Sequence, residues 1–385
     1  MKKFVAVLAV SAMVSTAAFA EMSIGGIVGV RGDIMNNSGI SPVTPEFALP
    51  GDGADGLGRG WAYEGRLSLS IGNGEGTAGA GGRVWFDGTN SNTLHAWVWW
   101  KPMDTLRVFA GRDPWAIYGL HELMGWGFLA NNSEDFLLGW GAPGAYHYQA
   151  SEQAGALGRA TGFYAGIGVE NMSVQITPSA IEGLEIIYAM PFTGLTPPLV
   201  GPMPNWVDHS LLSSHFGIRY NIAGVGRLGF TWTGNAEGFD SSDLYLSFLV
   251  TALQGMQINI GAHLDLTGED SDPLLNLGAG FEYASGPLRF TARLAAALLD
   301  PNMTRIGLGI HPSYSLEAVR LALNAGLQAN VPDQGETVVS WHATPYVMRM
   351  IAGPTRIYAG LSLASRGTEA ADVIWRVPVG ILLEW

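Results

Sequence analysis

Arginine is the residue type with the clearest chemical meaning in this chain. Of the twenty basic residues three are lysine, and two of those are Lys2 and Lys3, so seventeen arginines carry nearly all the positive charge. Arg66, Arg83, Arg107, Arg293, Arg320 and Arg356 lie in segments where every second residue is apolar, and each falls on the alternate parity. Thirteen of the seventeen are read the same way, Arg349 among them. A guanidinium is permanently charged and presents a planar fork of donors, so a surface lined with several attracts anions. Acids on that parity are fewer: Glu64, Asp87, Glu185, Asp243, Asp265 and Glu282.

Other reactive side chains point nowhere so definite. Ser340 and His342 share one face, but no acid or Asn on that segment orients the imidazole as a nucleophile's base requires. His263 and Asp265 are two apart on a polar parity, where a hydrogen-bonded wall is the commoner role. The remaining histidines lack metal-ligand spacing and there is no cysteine. The chain therefore reads as no enzyme, with no cofactor and no metal site. Trp85, Trp97, Trp99 and Phe109 fall on the arginine parity, where rings could stack on the apolar faces of sugars. Packing against a loop, or an interfacial aromatic belt, competes with that use.

The elements that must hold these residues are strands. Trp61, Tyr63, Leu67, Leu69 and Ile71 alternate with Glu64, Arg66, Ser68 and Ser70, and successive strand side chains point to opposite faces. Eighteen such segments can be read, with sixteen as the alternative count. Tight turns such as Asn73-Gly74-Glu75-Gly76, Pro102-Met103-Asp104 and Ala284-Ser285-Gly286-Pro287 carry the residues that short hairpins need. They alternate with longer connections at 32–60, 113–161, 192–212, 235–241, 267–273, 330–336 and 366–372. Mean hydropathy is positive although no stretch after Ala20 is long and apolar enough to cross a membrane as a helix. Greasiness spread as alternation, with lipid on one side and water on the other, is the signature of a transmembrane barrel.

The ends of the chain agree. Lys2 and Lys3, the apolar run Phe4 to Val14 and the Ala18-Phe19-Ala20 cleavage pattern make residues 1–20 a signal peptide. Residues 21–385 are then one domain. At the other end Trp375, Val377, Val379, Ile381, Leu383 and Trp385 share one face. A strand that ends on an aromatic resembles the closing strand of bacterial outer-membrane barrels, in which it is the assembly signal; the resemblance gives Trp385 that role. The chain as a whole resembles an outer-membrane porin, most like the large spirochaete-type barrels with a hairpin such as Trp99-Trp100-Lys101-Pro102.

That resemblance implies an all-β, transmembrane, antiparallel up-and-down barrel in a bacterial outer membrane that passes small hydrophilic solutes by diffusion. Its partners would be outer-membrane lipids, the barrel-assembly machinery acting on the C-terminal strand, and further copies in a homo-oligomer. The third external loop, 113–161, corresponds to the loop that narrows porins, and its Glu122, Glu134 and Asp135 would oppose Arg66, Arg83 and Arg107. A surface adhesin with a plugged lumen, its function in the loops, and a sugar-selective porin are the alternatives. Nucleic acid is excluded: the net charge is −13, and −15 once Lys2 and Lys3 are removed.

Overall fold

Local structure follows from period-two alternation. Along residues 256–266, Ile258, Ile260, Ala262 and Leu264 alternate with Gln257, Asn259, Gly261, His263 and Asp265, and only an extended chain turns that into two faces. A computed structural model describes residues 19–36, 39–40, 62–73, 75–87, 93–111, 171–191, 215–235, 238–266, 274–297, 303–352, 355–365 and 373–384. The described residues form one antiparallel sheet of twenty segments. In the first half these are β1 (Phe19–Asn36), β2 (Gly39–Ile40), β3 (Ala62–Asn73), β4 (Ala78–Asp87), β5 (Thr93–Met103), β6 (Leu106–Gly111), β7 (Asn171–Ile176), β8 (Leu184–Pro191), β9 (His215–Ile222) and β10 (Gly226–Asn235). The second half comprises β11 (Gly238–Val250), β12 (Met256–Leu266), β13 (Leu274–Ser285), β14 (Leu288–Ala297), β15 (Met303–Leu316), β16 (Val319–Pro332), β17 (Val338–Ala352), β18 (Thr355–Gly360), β19 (Ser362–Ser365) and β20 (Ile374–Glu384).

The sheet closes. β1 pairs with β20 on one side and β3 on the other, and the remaining segments pair in chain order. β2 is a two-residue bridge to the end of β1. β18 and β19 are two stretches of one ribbon, since both lie between β17 and β20. Eighteen ribbons therefore make the wall, as the alternation predicts. β1 begins at Phe19, two residues inside the segment read as a signal, and its register against β3 is continuous from Glu21 to Arg31.

The break at Leu361 has a simple cause. Leu361 donates its N–H to the carbonyl of Pro345 at 3.0 Å, but proline has no N–H to return. Pairing between β15 and β16 likewise lapses beside Pro312, between Ile310↔Ala325 and Ser313↔Ala322. On the inner side of this latitude the His311 Nε2 and the Tyr346 hydroxyl are hydrogen-bonded at 2.7 Å with their rings nearly parallel. That bond reaches across β16 where the ladder is weakest.

Short turns occupy one rim. They include residues 177–183, and Glu317-Ala318 between β15 and β16. Glu317-Ala318 lacks Gly, Asn, Asp and Pro, so alternation alone ends the fourteenth segment early, at 313; β15 instead runs to Leu316. At the other rim the strands outgrow the expected loops: β11 begins at Gly238 and β16 extends to Pro332. Loop 113–161 lies outside the described residues.

Leu67, Leu246, Ile260, Leu294, Leu327, Val347 and Ile381 stand on the outer surface. Trp100, Tyr220 and Tyr314 face the same way close to the short turns, as an interfacial aromatic belt would. Two outcomes follow. Ile260→Arg, at mid-strand on the outer face, should cost about 2–4 kcal/mol in reversible urea unfolding from lipid vesicles. Glu317 is held at φ 48°, so Glu317→Gly should gain about 0.5–1 kcal/mol in the same assay, against the loss that glycine causes inside a strand.

Candidate functional site

The inner parity of each ribbon is fixed by its partner parity. In β5, Val98 and Trp100 lie on the outer surface, so Trp97 and Trp99 turn inward as predicted. The outward tryptophan of this run is Trp100, which settles which ring joins the aromatic belt. The inward rings lie down on glycine. A Cβ on Gly79 would sit 2.6 Å from Trp99 Nε1 and 2.8 Å from the Ile71 carbonyl oxygen, and one on Gly81 would collide with the Trp97 ring. The Arg107 guanidinium carbon lies 4.8 Å from the centre of the Trp99 ring, a cation–π distance. Trp99 thus has Gly79 beneath it and Arg107 over it.

Phe109 of β6 and Ile187 of β8 are buried at 6% and 4% exposure, and Trp97, Trp99 and Leu249 pack against them. Leu249 belongs to β11, so this cluster reaches past β9 and β10. A second inward group, Tyr346, Met348 and Tyr358, is equally buried. It lies on β17 and β18, and β17 is nine ribbons from β8 in the ring of eighteen.

Several arginines are anchored across strands. Arg219 stands opposite Glu185 and forms an ion pair with it, while Gln175 Nε2 donates to the same carboxylate oxygen at 2.9 Å. Arg227 Nε donates to Asn221 Oδ1 at 2.6 Å. Arg289 donates from Nε and Nη2 to Glu282 Oε1 at 3.0 and 2.6 Å. Charge-assisted bonds of this kind hold long side chains along the wall.

Backbone register places the other predicted residues. Arg66 stands opposite Ile27 and Trp85, and Arg83 opposite Ser68 and His95. Arg293 is flanked by Gly280 and Gly309. Arg320 is opposite Ser315 and Met348, and Arg356 opposite Met350 and Leu382. The backbone positions of all six predicted arginines fall on the inner parity. Arg349 does not: it is exposed beside Val347 and opposite Ile357 on the outer surface, one residue from buried Met348. It sits close to the rim, where a long side chain can reach interfacial water. Ser340 and His342 alternate with outward Val339, so their backbone positions lie on the lumen parity. Glu122, Glu134, Asp135 and Trp385 lie outside the described residues. Among the described residues no three His, Asp or Glu are placed to hold a metal ion.

Sequence reasoning missed a ring. Eight strands leave a short turn, and the second residue of five of them is arginine: Arg107, Arg227, Arg289, Arg320 and Arg356. The other three carry Gly79, Glu185 and Gln257. The signal was legible as apolar-Arg-apolar straight after each turn, in Leu106-Arg107-Val108, Leu288-Arg289-Phe290 and Val319-Arg320-Leu321. Arg227 and Arg289 belong to the mouth on that basis.

No family model and no curated protein matches the chain. Solved structures do. The loop L8 deletion mutant of OmpT, an outer-membrane protein of Vibrio cholerae, aligns with TM-score 0.52 at 10% identity over 95% of this chain and 99% of its own. OccK5 (OpdH) of Pseudomonas aeruginosa gives 0.52 at 10% over 96% and 100%. The outer-membrane protein opdK of the same organism gives 0.52 at 12% over 96% and 100%. Such identities show the fold alone: the chain has the fold of outer-membrane β-barrels. The narrower likeness to spirochaete-type barrels has no counterpart among these three.

The glycine shelf makes a direct test. Gly79→Ala forces Trp99 off the wall and crowds the Ile71 carbonyl, so stability should fall by about 1–3 kcal/mol. Near-ultraviolet circular dichroism of the folded barrel should change with it.

Proposed function

We propose that the chain is a water-filled diffusion channel of a bacterial outer membrane that passes small hydrophilic solutes and prefers anions. One observation carries this reading: a closed ring of eighteen ribbons, apolar outside, whose inner parity holds the Arg107, Arg227, Arg289, Arg320 and Arg356 ring at the mouth. Fixed positive charge at a constriction raises the local concentration of anions and repels cations. Arg66, Arg83 and Arg293, farther from the short turns, extend the same sign along the wall.

The reading includes a route and a setting. Residues 1–20 direct export, and the assembly machinery takes up the C-terminal strand ending at Trp385. The outer surface meets lipid or further copies of the chain. Loop 113–161, with Glu122, Glu134 and Asp135, is the candidate counter-charge within the lumen. Trp97 and Trp99 serve the wall rather than a sugar track, since Gly79 and Arg107 already engage Trp99 from both sides.

Refolded residues 21–385 in planar bilayers under a salt gradient test the proposal. Open steps with an anion-biased reversal potential are expected. Replacing the five mouth arginines by Gln should move that potential toward cation preference and flatten its dependence on ionic strength, because less fixed charge is left to screen. An unchanged potential would remove the ring from the selectivity mechanism.

A further inference from the structure

The apolar cluster at the short-turn end is not explained by lipid contact or by the charges of the mouth. Phe109 is four residues into β6, Ile187 four into β8, and Leu249 one before the end of β11. Trp99 lies five residues from the end of β5, counting inclusively. Four strands thus bring apolar inward side chains within five residues of the short-turn rim. Inward residues of an open, wide lumen would be wet; Phe109 and Ile187 are 6% and 4% exposed.

The contact with Leu249 shows how the gap is bridged. β9 and β10 separate β8 from β11, and their inward residues nearest the cluster include Gly217 and Gly229, which have no side chain to stand in the way. Arg219, the larger inward residue there, is drawn aside by Glu185. On the opposite side of the ring, Tyr346, Met348 and Tyr358 form a second dry group near the same rim.

We propose that Phe109, Ile187 and Leu249, backed by Trp97 and Trp99, form an apolar constriction at the arginine mouth that limits conduction by excluding water. This rests on the channel reading and places a dry point of the path in the wall itself. A hydrated ion must shed or strain its hydration to pass an apolar collar, and narrow apolar segments gate by dewetting. The arginines beside the collar concentrate anions; the collar sets how readily they cross.

The test introduces polarity in one variant and removes apolar bulk in another. The double variant Ile187→Thr, Leu249→Asn and the single variant Leu249→Ala are compared with the parent chain, all refolded and checked for heat-modifiable migration. The double variant is expected to raise single-channel conductance at least about twofold with the reversal potential unchanged. Leu249→Ala guards against a folding failure of the double variant, and a conductance rise in it alone also supports the collar. A folded parent that is silent while a variant conducts supports a closed collar. Equal conductance of parent and variants overturns the collar and leaves the channel standing. Silence from all the folded proteins overturns the channel itself.

Discussion

Closure of the backbone ladder is the constraint on which everything else depends. In hydrocarbon an unpaired N–H or C=O costs several kcal/mol, and an open sheet edge would present a row of them. The pairing of β1 with both β20 and β3 removes that edge. Once the ring is closed, each residue can point only outward to lipid or inward to the lumen. The outward set must be apolar, whatever the protein does. Charged and polar side chains are therefore gathered on the inner parity and in the loops.

Departures from the ladder are consequently local and supported. Pro312 and Pro345 each forgo a donor, and they fall at one latitude on either side of β16. An inward hydrogen bond between His311 and Tyr346 spans that ribbon. It ties β15 to β17 where the ladder ties them least, and burial on the lumen side strengthens a bond that water would otherwise weaken. Glycine plays the converse part at Gly79 and Gly81, where the absence of a side chain lets indole rings lie against the wall.

Most of the fold was legible because period-two alternation depends on nothing but side-chain direction. The ribbon count, the inward arginines and the parity of Trp97, Trp99 and Phe109 could all be read from it. The turn at Glu317-Ala318 was placed a few residues early because Glu317 occupies a conformation that glycine usually fills. Arg349 was misread because the register runs through Met348, whose buried side chain fixes the parity one residue earlier. The mouth ring was overlooked for a different reason. Parity assigns a face but not a height, and height emerges only when distances from successive turns are compared. The Leu249 contact was beyond reach, since it depends on curvature across two intervening ribbons.

Charge and dryness at the mouth are best understood together. Arg227 stands opposite Leu249, Arg320 opposite Met348, and Arg107 lies two residues from Phe109. An arginine beside an apolar group can lay its stem on that group and keep its head toward water, as lysine can, but the planar guanidinium also stacks on rings and forks onto carboxylates. That residues 21–385 hold a single lysine, Lys101, is then more than a compositional accident. Stacking of the Arg107 head on Trp99 is possible because the guanidinium is planar and weakly hydrated. Pairing with Glu185 and Glu282 fixes Arg219 and Arg289 in place, at the expense of part of their field. The result is a short-turn end in which cations are held against grease by geometry that only arginine supplies.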